Sequence, residues 1–318
     1  MVNAVVGTGD NPLGAEKLSP EGERTVQVAF VLLLIGAAAI AFAPVFVRLS
    51  EVGPTATAFY RMALAVPALW LWLWIGRPKA GEPRLERREY TRLALAGFFF
   101  AGDMALWHFS IHFTSIANAT LLANLAPIFV TMFGYMLFKN RVTRLFIVGM
   151  GMALLGAVTL MGDSLQVSHQ SFIGDLLGVA TAVFYASYIL AIGRLRARLA
   201  TRIIMFWSTL FCAAFLLPLM WISGEGMVPI SAYGWWNLIG LALVAQVFGQ
   251  GLIAYALAHL PAAFSSVSLL FQPVVAALAA WAIFGEALGP LQGLGALVVL
   301  VGVVLARHAG AKKMPQRA

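Results

Sequence analysis

Arg61 and Asp103 are ionisable side chains standing well inside long apolar segments, where a charge is costly unless it is paired or faces water. Asp103 is the only carboxylate so placed. Arg61 lies about seven residues from the near end of its segment and Asp103 about ten, so as helices their depths differ by roughly 5 Å. An ion pair between them is therefore feasible. The pair can anchor a zwitterionic or charged solute, or Asp103 can carry a proton; a structural ion pair locking two helices is the bland alternative. Asp103 and Trp107, at i and i+4, share a helix face. His108 and His112 follow, the latter at the helix end, and the next segment brings Asn118, Thr120 and Asn124. Gln246 and Gln250 form another i, i+4 pair. Tyr185, Ser187 and Tyr188 lie in one further segment, Tyr255 in another, and Ser265, Ser266, Ser268 and Gln272 run up to Pro273. Aromatic rings with a few hydroxyls and amides suit a small amphipathic molecule. The expected cavity lining is Asp103, Trp107, His108, Asn118, Asn124, Tyr185, Tyr188, Gln246, Gln250, Tyr255, Ser268 and Gln272.

The elements that must position these residues are set by hydropathy. The chain has 318 residues, 61% hydrophobic and only 11% charged, with a mean hydropathy of +0.87. A soluble domain does not tolerate that composition, so this is an all-α integral membrane protein. Apolar runs of about 20 residues cross some 30 Å of hydrocarbon as helices, whereas barrel strands are shorter and alternate. Ten spans are predicted, near 26–47, 55–76, 91–113, 115–138, 143–161, 174–193, 203–222, 234–257, 260–284 and 288–306. Polar tails occupy 1–25 and 308–318. The single cysteine, Cys212, excludes an intramolecular disulfide.

Sliding the chain along itself by 146 residues pairs Pro127 with Pro273, Phe138 with Phe284, Gly149 with Gly295 and Gly156 with Gly302, without a gap. This is an internal duplication, with five spans in each half: 26–161 and 174–307. An odd number of crossings inverts the second half relative to the first, the arrangement on which alternating-access transporters are built. All but two of the 21 Lys and Arg, Arg48 and Arg61 excepted, fall in the tails or in loops on one side. The positive-inside rule then places both termini in the cytoplasm, and the excess charge of +8 reflects orientation rather than nucleic-acid binding. Pro127 and Pro273, inside helices, are expected hinges. Gly149, Gly156, Gly295 and Gly302, spaced by seven, give spans 5 and 10 a smooth stripe for close packing.

No G-x-x-x-x-G-K-[ST] loop, H-E-x-x-H, G-x-S-x-G or metal-ligand spacing is present, so neither ATP hydrolysis by that route nor intramembrane hydrolysis has visible machinery. No enzyme, cofactor or metal is expected.

The five-helix halves, Arg61-Met62-Ala63-Leu64-Ala65, the run Thr114 to Thr120 entering span 4, and Pro273 through Phe284-Gly285-Glu286 to Gly295 and Gly302 resemble the drug/metabolite transporter superfamily, EamA type. Over about residues 28–306 the chain looks most like the YddG-like amino-acid exporters. The resemblance implies a basket-shaped ten-helix fold around a central cavity lined by spans 1, 3, 4, 6, 8 and 9. It further implies a bacterial inner-membrane permease, able to act as a monomer, exporting small amphipathic metabolites, amino acids including aromatic ones foremost. A multidrug or lipophilic-cation carrier is the alternative, and a membrane-embedded enzyme or scaffold a more distant one. Two departures stand out: Lys139-Asn140 replaces the Gly285-Glu286 pattern in the first half, and span 1 lacks the buried Glu of the small multidrug antiporters. Their proton-exchange mechanism therefore does not carry over.

Overall fold

The computed structural model describes residues 20–76, 85–113, 116–161, 172–285 and 289–311, and among these every regular element is helical. Among the described residues there are nine apolar spans of at least 18 residues: α1 (Glu21–Arg48), α2 (Pro54–Ile75), α3 (Arg87–Ser110), α4 (Ala119–Phe138), α6 (Phe172–Leu195), α7 (Thr201–Ile222), α8 (Ala232–Ala256), α9 (Ala262–Phe284) and α10 (Pro290–Ala309). A slightly shorter apolar helix, α5 (Arg144–Leu160), makes ten. The residues that a soluble protein would bury are here exposed on the outer surface, including Trp74, Trp236, Leu137 and Ile222. They are the side chains a bilayer covers.

Packing follows the duplication. α1 beds against α8 and α9 of the second half, and α6 beds against α3 and α4 of the first. α2 lies on α7, α4 on α9 and α5 on α10. Exchanging each helix for its counterpart five places along leaves this pattern unchanged.

The α5–α10 contact is the tightest. A Cβ added to Gly149 would stand 2.6 Å from the Ala306 nitrogen and 2.8 Å from the Gly302 oxygen. One on Gly156 would meet the Val299 nitrogen at 2.5 Å and the Gly295 oxygen at 2.8 Å. The four glycines face one another across the two helices, and backbone meets backbone. A similar approach joins α1 to α8, where Gly36 lies against the Gly249 carbonyl.

Several spans are broken rather than straight. α4 interrupts at Asn124–Leu125 and α9 at Leu269–Leu270, just before Pro127 and Pro273. Proline offers no N–H and its ring clashes with the carbonyl one turn back. The chain therefore tightens locally, with Leu125 N donating to Leu122 O and Leu270 N to Val267 O, both 3.1 Å. α1 breaks near Phe42 ahead of Pro44 in the same way. α4 and α9 then end on left-handed residues in the same register: Lys139 (φ 56°) and Gly285 (φ 69°). Glycine adopts that conformation without penalty and lysine does not.

The two ends of the bundle differ. At the face where α1 begins and α10 ends a vestibule of about 1680 Å³ opens, walled by the start of α1, α3 and α9 and the ends of α4, α6 and α8. At the opposite face, the α1–α2 loop is tied to the α7–α8 loop. Glu51 accepts from Ile230 N and Ser231 N, each at 3.0 Å, and from the Ser231 hydroxyl. Gly53 N donates to Gly226 O at 3.0 Å, Thr55 N to Glu225 Oε2 at 2.9 Å, and Asn237 Nδ2 to Phe46 O at 2.7 Å.

Candidate functional site

Between the vestibule and the tied loops lies a second cavity, of about 200 Å³. Its walls come from α1, α3, α4, α6, α8 and α9, as expected, and also from α2, which supplies Thr57, Ala58 and Arg61. The breaks in α4 and α9 both open onto it, so Asn124, Pro127, Gln272 and Pro273 stand around one space.

Arg61 and Asp103 are buried, at 8% and 5% exposure, and both line this cavity. They attract one another electrostatically, yet no direct ion pair joins them among the described residues. The Arg61 Nη1 lies 3.9 Å from Met104 Sδ, its Cζ sits 6.0 Å from the centre of the Phe100 ring, and its Nε has no hydrogen-bond partner. The contact ion pair that helical depth permits is thus not made. The two charges look into the same volume instead.

Trp107, His108, Asn124, Tyr185, Gln250 and Gln272 also line the cavity. His108 Nδ1 lies 2.6 Å from Met104 O; a carbonyl only accepts, so Nδ1 carries the proton. The Asn124 Nδ2 donor is buried without a partner, and Gln272 leans toward Tyr185 while its Nε2 lacks a hydrogen bond of good geometry. Gln250 leans toward Tyr188, whose hydroxyl still lacks a hydrogen bond of good geometry.

Four expected lining residues stand elsewhere. Tyr188 is stacked on Phe100, ring centres 4.4 Å apart, behind the wall. Gln246 donates to Thr209 Oγ1 of α7 at 3.0 Å. Residues 242–250 of α8 are π-helical, with i→i+5 spacing, so the i, i+4 rule that would align Gln246 with Gln250 does not hold there. Ser268 is fully buried and spends its hydroxyl on Phe264 O. Tyr255 is 37% exposed and packs on His259, ring centres 5.0 Å apart, beyond the cavity. The Asn118 and His112 side chains lie outside the described residues.

Thr57 and Thr181 line the cavity without having been singled out, and Thr120 and Ser266, which the sequence brought forward but left out of the expected lining, line it too. Thr181 and Ser266 give their protons to carbonyls of their own helices, Leu177 O and Ala263 O. A hydroxyl so spent leaves no sequence signal distinguishing it from any Ser or Thr in a helix. Among the cavity's buried donors, the Asn124 and Gln272 amides and the Arg61 Nε have no hydrogen-bond partner.

The wall toward the vestibule is thin. On α6 it passes from Ile189 to Leu190, and on α9 from Ser266 to Phe264. The Phe264 ring stacks on Phe30 of α1 at 5.6 Å.

This chain is similar to several proteins of known naming. It is 26% identical over 285 residues to a probable amino-acid metabolite efflux pump of Escherichia coli, covering 86% of this chain and 92% of that one. It is 24% identical over 246 residues to the pseudopaline exporter of Pseudomonas aeruginosa, covering 77% and 83%. A probable terminal-alkyne amino-acid exporter of Streptantibioticus cattleyicolor shares 26% over 275 residues, covering 84% and 88%. A solved crystal structure superposes with a TM-score of 0.70 over 90% of this chain and 98% of its own, at 19% identity, a likeness of fold. The family described as EamA-like transporters matches residues 27–162 and again 172–307. Both repeats are covered, and this multi-pass membrane protein belongs to the EamA-like transporter family.

Proposed function

We propose that the protein is a secondary exporter of the bacterial inner membrane for small amphipathic metabolites, amino acids including aromatic ones foremost. The observation that carries this is the 200 Å³ cavity in which the buried guanidinium of Arg61 and the buried carboxyl of Asp103 face the same space without touching. Drug-sized ligands occupy pockets of roughly 300–1,000 Å³. A cavity below that range favours a metabolite over a drug. The names of the similar exporters point the same way.

The odd number of spans per repeat, with the loop charges, gives inverted halves and cytoplasmic termini. The open vestibule then faces the cytoplasm, and the loops tied through Glu51 and Glu225 close the outer face. Transport is alternating access of the two repeat-related halves, with α1 bedded on second-half helices and α6 on first-half ones. The breaks before Pro127 and Pro273 act as the hinges, and a monomer suffices. An Asp103 facing an aromatic wall also fits a lipophilic-cation carrier, and the same assay separates the two.

Purified protein in proteoliposomes, given radiolabelled phenylalanine, methionine or threonine with and without a pH gradient, is expected to show saturable flux. Flux that needs the gradient and is lost in Asp103→Asn makes Asp103 a coupling group. Flux indifferent to both makes the protein a facilitator. Flux of a lipophilic cation in the absence of any amino-acid flux would overturn the proposal.

A further inference from the structure

The proposal above leaves open how a solute is recognised, and the following rests on that reading. We infer that Arg61 and Asp103 form a zwitterion frame: the guanidinium receives an α-carboxylate and the Asp103 carboxylate receives the α-ammonium on the same carbon. Both groups are more than nine-tenths buried. Neither group is taken up by a contact ion pair within the protein: Arg61 has a thioether and a ring face beside it, and Asp103 has no hydrogen bond or ion pair among the described residues. Buried charges demand compensation. A pure anion in this cavity compensates Arg61 and leaves Asp103 unmet, and a pure cation does the reverse. A solute carrying both charges one carbon apart satisfies the two at once. The unpartnered Asn124 and Gln272 amides add neutral donors, and Trp107 and Ile189 leave an apolar wall for the side chain.

Phenylalanine counterflow in proteoliposomes, competed by phenethylamine (no carboxylate) and 3-phenylpropionate (no ammonium), tests the frame. Each analogue is expected to compete at least about tenfold less well than phenylalanine, the worth of one charge-assisted contact. Asp103→Asn is expected to narrow the gap for 3-phenylpropionate alone, and Arg61→Gln the gap for phenethylamine alone. Wild-type competition decides the matter if a variant does not fold. Competition by either analogue as good as that of phenylalanine overturns the frame while leaving amino-acid export standing. Absence of counterflow for phenylalanine, methionine and threonine overturns both.

Among the described residues Arg48 is the one Lys or Arg at the face of the tied loops, and its counterpart one repeat later is Arg194. The Arg48 Cζ stands 4.3 Å over the Phe284 ring, and the Arg194 Cζ 3.6 Å over the Phe138 ring. Phe138 and Phe284 are themselves repeat counterparts. Each pair joins the end of one half's first helix to the end of the other half's fourth, α1 to α9 and α6 to α4, on opposite faces. One duplicated residue pair thus recurs as one duplicated contact. Arg194 and Phe138 border the open vestibule, whereas Arg48 and Phe284 lie at the face whose loops are tied. Both contacts are nevertheless made. We propose that they are clamps that persist through the cycle, holding α6 to α4 and α1 to α9 while the faces open and close, rather than latches that part.

In a Cys212→Ala background, Arg48→Cys with Phe284→Cys, and separately Phe138→Cys with Arg194→Cys, are bridged by a bis-methanethiosulfonate of matching length. Phenylalanine counterflow in the bridged proteins is expected to equal that of the reduced ones. Loss of flux on bridging, restored by reductant, would make the contacts latches and overturn the inference. So would failure of either pair to bridge in folded protein, judged by an unchanged elution profile in detergent.

Discussion

At the scale of single residues, Arg61 and Asp103 face one cavity from α2 and α3 without touching. Arg61 and Asp103 were legible because a charge in an apolar segment is conspicuous, but their failure to touch depends on rotamers and on Met104 and Phe100, which no spacing rule contains. Gln246 was misplaced because a π-helical stretch breaks the i, i+4 face rule, and nothing in Ala242–Gln250 announces that stretch. Lys139 shows the reverse: the departure from glycine was visible, and the structure supplies its cost. It holds φ 56° where its counterpart Gly285 holds 69°. Left-handed backbone costs a non-glycine residue roughly 1–2 kcal/mol, part of which the entropy of a glycine offsets. Lys139→Gly is therefore expected to stabilise by about 0.5–1 kcal/mol, seen as a rise of roughly 1–3 °C in Tm in detergent. A fall in Tm would mean that the Lys139 ammonium, 5.8 Å over the Tyr135 ring, outweighs the backbone.

At the scale of helices, periodicity and the duplication disclosed most of what positions the site. The glycine stripes were read from spacing, and the α5–α10 backbone contact is their consequence. The substitution Gly149→Leu forces a side chain onto the Ala306 nitrogen and is expected to cost roughly 1–3 kcal/mol, as overpacking does. Thermal melting of Gly149→Leu beside Gly151→Leu is the check, since Gly151 has open space at its Cβ position. Equal melting of the two would remove α5–α10 from the account. Less legible was that α2 enters the cavity wall. Hydropathy places α2 in the membrane but does not say which helices surround a void, because that depends on long-range packing against α7.

At the scale of the molecule, one face is held by side chains that titrate. Hydrogen bonds from the Ser231 hydroxyl and the Ser231 and Ile230 amides hold the Glu51 carboxyl below its ordinary value of 4.5. A depressed carboxylate contributes stability above its unfolded value and loses it as pH falls through the folded one. Acidifying below about pH 4.5 is thus expected to loosen the 225–234 segment, read as faster amide exchange there. Glu51→Gln should show that faster exchange already at pH 7 and little further change on acidification. Acid-insensitive exchange in the wild type would mean that the contacts not made through Glu51, namely Gly53–Gly226, Thr55–Glu225 and Asn237–Phe46, hold this face.

The exchanged seating of α1 and α6 has a consequence for ancestry and assembly. Neither five-helix half encloses its own first helix; each lends it to the other. A single repeat made alone would present an orphaned helix and an empty berth, and two copies would complete one another only by trading. The chain behaves as an intertwined pair of subunits joined by a tether. Cut between Met161 and Phe172 and expressed as two polypeptides, it is expected to reassemble into a flux-competent complex that co-purifies through a tag on either piece. Either piece alone should aggregate.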